Sequence, residues 1–204
     1  MNWLAHIFLS ENSIDFQIGN YLADPLKGKI WNEASIDIQK GIKLHKLIDS
    51  YTDSHHLFKK SKQRLGNQGL LKAVVIDLTY DYLLSKNWNL YSNIDIDIFL
   101  NNFYKKAKIQ LTTLPIEASQ PLKRLINYEV LNKYKSLDDL NKALLKVDNR
   151  LSPRLAKRDK ASYYFEKIDS NISDIESDFL EFFPQLCNKV KTNLDKSKLT
   201  HWKY

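Results

Sequence analysis

Residues 41–53, GIKLHKLIDSYTD, set Leu44, Leu47, Ile48 and Tyr51 at i, i+3, i+4 and i+7. That spacing is one buried face of an α-helix. The same stretch sets His45, Asp49 and Asp53 four apart, and side chains four apart share a helix face. The polar stripe lies about 100° around the helix from the apolar one. Titratable groups are costly to bury, so a polar stripe bordering a buried face points to the wall of a cleft. The periodicity predicts one long helix from Ile36 to about Lys60.

Outward from this stretch the chain reads as helix after helix. Residues 70–87 carry the apolar stripe Leu70, Leu71, Val74, Val75 and Leu78, with Asp77 and Asp81 again four apart. Upstream, residues 3–9 and 14–23 read as two short helices separated by SENS, and Pro25 and Gly28 end the second. Gly66, Asn67 and Gly69 break the chain before residue 70. Downstream, residues 96–111, 122–134 and 137–148 are helical in pattern. A long helix is expected from Ser152-Pro153 to about Phe183, where Pro184 interrupts. The expectation is an all-α single helical domain over residues 1–190, with roughly seven to nine helices. The basic segment 191–204 reads as a frayed, flexible C-terminal tail.

Composition agrees. Of 204 residues 43% are hydrophobic, enough for a core, and five glycines with five prolines are too few for a turn-rich sheet protein. The single cysteine, Cys187, excludes an intramolecular disulfide framework and any zinc site needing two cysteines. It fits a reducing, cytoplasmic setting. The N-terminus lacks the basic region of a signal peptide, and no stretch approaches a membrane span. The net charge of +7 favours an anionic partner: nucleic acid, an anionic membrane face or an acidic protein. The aromatic-basic motifs of common RNA-binding modules are missing, so no nucleic acid is expected.

The chemistry-bearing residues gather in the first 81 positions: His6 in WLAHIFL, Asp24 closing GNYLAD, then His45, Asp49, Asp77 and Asp81. Imidazole nitrogen with carboxylate oxygen suits manganese, iron, zinc or magnesium. Without a cation the carboxylates would repel one another. Each residue also has a structural reading. His6 suits a satisfied core histidine, and Asp24 before Pro25 suits a turn. Asp49 can pair with Lys46. Asp77 and Asp81 can pair with Arg150 or Arg154. His55 and His56 read as solvated, and His201 as part of the tail. Arg150 and Arg154 are the candidates for gripping a phosphate bidentately.

MNWLAHIFLS, GNYLAD, GIKLHKLIDSYTD and VVIDLTYDYLLSKNW, in that order, resemble the acyl carrier protein phosphodiesterase family. This family is also called acyl carrier protein hydrolyase and is distantly similar to HD-domain phosphohydrolases. DNRLSPRLAKRD and EFFP continue the likeness. The resemblance implies an HD-like helical bundle and a divalent metal, manganese foremost. It implies hydrolysis of the phosphodiester joining 4′-phosphopantetheine to a serine of holo-acyl carrier protein, an acidic partner suited to the positive charge. Carried onto this chain, it implies His6, Asp24, His45 and Asp77 as metal ligands and Asp24, Asp49 and Asp81 in catalysis. Asp49 or Asp81 could equally join the ligands. The compact His-Asp doublet of the HD fold is absent. Tyr82 and Asn87 stand where relatives often carry histidine, leaving Lys86 or a metal-bound water as substitute acid. Two other readings stay open: a phosphohydrolase of nucleotides or other small phosphoesters, and a non-enzymatic basic helical binding module.

Overall fold

Two glycines set the closest helix contact. A Cβ on Gly19 would lie 2.2 Å from the Ile38 carbonyl oxygen, and one on Gly41 would lie 2.2 Å from that of Phe16. Side chains normally hold helix axes about 8–10 Å apart; here backbone meets backbone. The pair is α2 (Ile14–Leu22) against α3 (Ile36–Ser54), in a computed structural model that describes residues 1–203. Ser35 caps α3, its Oγ accepting the Ile38 N–H, and donates in turn to Asp15 of α2 at 2.7 Å.

Around this pair the chain is all helical. Before it comes α1 (Trp3–Phe8). After it come α4 (His56–Arg64), α5 (Lys72–Lys86), α6 (Trp88–Tyr91) and α7 (Ile96–Gln110). Then follow α8 (Ile116–Asn127), α9 (Leu137–Asp148), α10 (Pro153–Ala156), α11 (Phe165–Ser170) and α12 (Ile172–Lys191). Single 3-10 turns lie at Val130–Asn132, Ala161–Tyr164 and Lys196–Lys198. Among the described residues the only bridge of strand type is an isolated one between Ser92 and Trp202.

Several expected boundaries move. The helix expected over residues 122–134 is α8, which starts earlier with Pro121 inside it and stops at Asn127, before a separate 3-10 turn. The helix predicted through residue 60 ends at Ser54, because His55 is extended and its ring accepts the Leu57 N–H to cap α4. His55 is half-buried between Tyr51 and Phe182. Pro184 lies inside α12 without ending it, since Phe182, Phe183, Leu186 and Cys187 are buried on both sides of it. The segment after Pro153 is broken, not continuous: α10 and α11 are single turns joined by a 3-10 turn. Asp159 organises that stretch, accepting from the Leu70 and Leu71 N–H groups and from the Tyr164 hydroxyl.

The expected frayed tail is also corrected. Leu199, His201 and Trp202 are buried, and Trp202 stacks on Phe8 with ring centroids 5.5 Å apart. His201 Nε2 donates to the Phe8 carbonyl at 2.8 Å. Phe8, Tyr91, Phe179 and Phe183 form the aromatic centre that the tail covers. Tyr204 lies outside the described residues. The basic run before the break is partly structural: Arg64 and Lys60 both pair with the buried Asp178, tying α4 to α12.

Candidate metal centre and its cleft

The first turn of α1 is held from outside. Asp81 of α5 is fully buried and accepts from the Leu4 N–H at 2.9 Å and the Ala5 N–H at 3.1 Å. It thus caps a helix that has no side-chain cap of its own. Burial pushes the Asp81 carboxyl up to about 7 against the pull of those two donors. Asp81, expected in catalysis, is a scaffold for α1.

That scaffold carries His6, also fully buried. Its ring stacks on His45 of α3, centroids 3.9 Å apart and planes 17° from parallel. One residue of α2 orients both rings. The Asn20 amide nitrogen donates to the His6 carbonyl at 2.8 Å and to Ser10 Oγ at 2.9 Å, which fixes Oδ1 as the acceptor. His6 Nδ1, 2.9 Å from that Oδ1, must then carry the proton. His45 Nδ1 lies 2.8 Å from the Asn20 backbone carbonyl, an obligate acceptor, and must carry one too. The close approach of α2 and α3 at Gly19 and Gly41 is what brings that carbonyl within reach.

With both Nδ1 atoms engaged as donors, a neutral ring offers its lone pair at Nε2, and the two Nε2 atoms converge on one carboxylate. Asp49 Oδ1 is 3.1 Å from His6 Nε2, and Oδ2 is 3.0 Å from His45 Nε2. The Met1 carbonyl oxygen, another acceptor, lies 3.1 Å from His6 Nε2. Burial, then the neighbouring His45, pushes His6 down to about 4, so it carries no second proton near neutral pH. Lone pairs facing a carboxylate call for a cation between them. His6, His45 and Asp49 present ligating atoms within 4.8 Å of one another. Two nitrogens and an oxygen with both outer ring protons anchored are a donor set that fits a divalent metal.

Of the expected ligands, Asp24 and Asp77 stand outside this trio. Asp24 is exposed and accepts from the Trp3 indole at 3.2 Å. Asp77 lies 3.0 Å from the Met1 ammonium, which is itself 3.5 Å from Asp49. Burial works against that ammonium, but Asp77 and then Asp49 outweigh it and raise its pKa. Burial raises the Asp77 carboxyl as well, against the pull of the ammonium. Asp49, expected in catalysis, supplies the trio's only carboxylate. Along α3 the polar stripe runs from buried His45 through half-buried Asp49 to exposed Asp53.

These residues floor a cleft of about 710 Å³. Its lining carries both signs of charge: Asp49, Asp53 and Asp77 from α3 and α5, and Lys133, Lys146 and Arg150 as a basic group. Ala143, Lys146, Val147 and Arg150 share a face running off α9, a spacing visible in the sequence. Of the two arginines named from the sequence, Arg150 lines the cleft; Arg154 is exposed and lines no part of it. Lys86 is paired with Glu176 at 2.6 Å, and Asn87 donates to the same carboxylate, so neither faces the cleft. Asn20, Lys133 and Lys146 escaped sequence reading. A polar Asn within the buried run FQIGNYL was the available signal.

These features define an all-helical protein in which two histidines and a carboxylate, a group able to hold a metal ion, adjoin a cleft that also carries Lys133, Lys146 and Arg150. A family model for acyl carrier protein phosphodiesterase matches residues 1–186, and the chain belongs to that family. It is 27% identical over 199 residues to the acyl carrier protein phosphodiesterase of Photorhabdus laumondii, covering 94% of this chain and 96% of that one. It is 29% identical over 196 residues to the Escherichia coli O6:H1 protein of the same name, covering 93% and 97%. The Klebsiella pneumoniae (strain 342) protein of that name is 26% identical over 194 residues, covering 91% and 95%. No solved structure matches the chain. Among the described residues no helix is long and apolar enough to cross a membrane.

The Asn20 anchor gives a first expected result. Asn20→Ala removes the His6 partner while sparing the backbone acceptor of His45. Loss of such an outer partner typically costs about 10–100-fold in metal affinity. Competition against a chelator measures it, and unchanged affinity would refute the anchoring role.

Proposed function

We propose that this chain hydrolyses the phosphodiester linking 4′-phosphopantetheine to a serine of holo-acyl carrier protein, releasing apo-carrier and free 4′-phosphopantetheine. The convergence of His6 Nε2, His45 Nε2 and Asp49 at a cleft that also carries Lys133, Lys146 and Arg150 supports this reading, in a chain of this family. His6, His45 and Asp49 hold the divalent ion. When bound, that ion supplies Lewis acidity and lowers the pKa of water. Two imidazoles with one carboxylate suit a first-row transition metal better than magnesium, and among these the family resemblance puts manganese first, with iron or zinc as alternatives.

Arg150, Lys146 and Lys133 face that centre and neutralise the non-bridging oxygens of the phosphodiester. Asp77 and Asp24, which line the same cleft, would orient water there. The net charge of +7 draws in an acidic carrier protein, in keeping with a cytoplasmic enzyme acting on the carrier of fatty acid synthesis. Intact mass of a holo-acyl carrier protein, after incubation with manganese or with a chelator, tests the reading. Loss of the prosthetic mass with manganese alone is expected. An unchanged mass with the metal-loaded protein would overturn it.

A further inference from the structure

Beside the cleft lies a second cavity of about 510 Å³. The two share Trp3, Asp24, Tyr128, Val130 and Arg150 as lining residues, so they adjoin. The walls of the side cavity are largely apolar and aromatic, built from Trp3, Tyr21, Leu125 and Tyr128 with Pro25 and Pro121. Tyr21 is fixed there because its hydroxyl donates to the Pro121 carbonyl at 3.0 Å, joining α2 to α8.

Two cations stand on this cavity, Arg124 from α8 and Arg150 beyond α9. Both are exposed. Neither guanidinium has a hydrogen-bond or ion-pair partner among the described residues. Both act electrostatically on the buried Tyr21 phenol, as does Asp24. Arg150 borders both spaces, whereas Arg124 borders only the side cavity.

Resting on the function proposed above, we infer that this side cavity is the seat of the substrate's prosthetic arm. Its ligand class is an extended, neutral, amide-bearing aliphatic chain with a phosphate at one end. Arg150, at the junction, holds the phosphate beside the metal trio. The branched aliphatic part lies against Trp3 and Tyr128. Arg124 donates to an amide carbonyl further along. A volume of about 510 Å³ falls within the range of small-molecule pockets, roughly 300–1,000 Å³, and is too small for a folded carrier. The acidic carrier is left to the main cleft's rim with Lys133 and Lys146, which do not line the side cavity.

Titration calorimetry on the manganese-loaded protein tests this, with 4′-phosphopantetheine and inorganic phosphate as probes. Phosphopantetheine is expected to bind at least about tenfold tighter than phosphate. Arg124→Gln and Tyr128→Ala, both at exposed positions, are each expected to erase most of that margin while keeping the wild-type melting temperature. Equal affinity for the two probes, or a margin that survives both substitutions, overturns the subsite. The mass assay on holo-carrier stands apart: an uncleaved carrier sinks the reaction, whereas a lost margin sinks only the subsite.

Discussion

Asp49→Asn is expected to abolish both divalent-metal binding and hydrolysis of holo-acyl carrier protein while leaving the fold intact. The amide keeps the size and shape of the carboxylate but removes its charge, and turns an N–H group toward one of the two imidazole nitrogens now 3.0 and 3.1 Å away. An outer partner of a metal ligand is worth about 10–100-fold, and the sole carboxylate of the trio should exceed that. The matched change Asp53→Asn, one turn along the same helix and exposed, should alter metal affinity only slightly. Metal content by mass spectrometry and turnover of the holo-carrier measure both. An Asp49→Asn protein that retains its metal would return the ligand role to Asp24 and Asp77.

Gly41→Ala should be among the most destabilising single substitutions in the chain. Alanine is normally the better helix residue, by about 0.8–1.0 kcal/mol over glycine. An open site would therefore gain stability from the change. At Gly41 the added carbon meets backbone, the Phe16 carbonyl oxygen at 2.2 Å and the Asn20 nitrogen at 2.7 Å. Backbone cannot rotate out of the way as a side chain can, so the helices must part. Overpacking of a core typically costs about 1–3 kcal/mol, and a backbone clash belongs at or above the top of that range. Set against a typical domain stability of about 5–15 kcal/mol, this is a large share. Parting α2 from α3 also draws the Asn20 carbonyl from His45, so metal affinity should fall along with the urea midpoint. A Gly41→Ala protein as stable as wild type would show that the two helices have slack.

The helical class was legible because periodicity is a local property. Leu44, Leu47, Ile48 and Tyr51 announce a buried face whatever lies against it. The scarcity of glycine and proline removed the sheet alternatives. His6 and His45 were legible as well, since an imidazole within an apolar helical run must find partners. The carboxylates were harder. Asp24, Asp49, Asp77 and Asp81 are one residue type on helix edges. Nothing local tells a carboxylate that faces two imidazoles (Asp49) from a helix cap (Asp81), an indole acceptor (Asp24) or the partner of an ammonium (Asp77).

The same limit explains the errors elsewhere. Pro184 reads as a helix stop, yet the buried residues on either side of it carry α12 through. The segment 191–204 reads as polar and frayed, yet Trp202 finds Phe8. Arg150 and Arg154 look equivalent, and only the face of α9 turned to the cleft separates them. By itself, then, the sequence determined the all-helical class, the family likeness and the two histidines. The tertiary structure decided which carboxylate joins them, how Asn20 sets both rings, and where a second cavity adjoins the cleft. The physical reason is distance along the chain. A helix face is written in residues three and four apart, whereas Asp49 meets His6 and Asn20 meets His45 only after α1, α2 and α3 have packed.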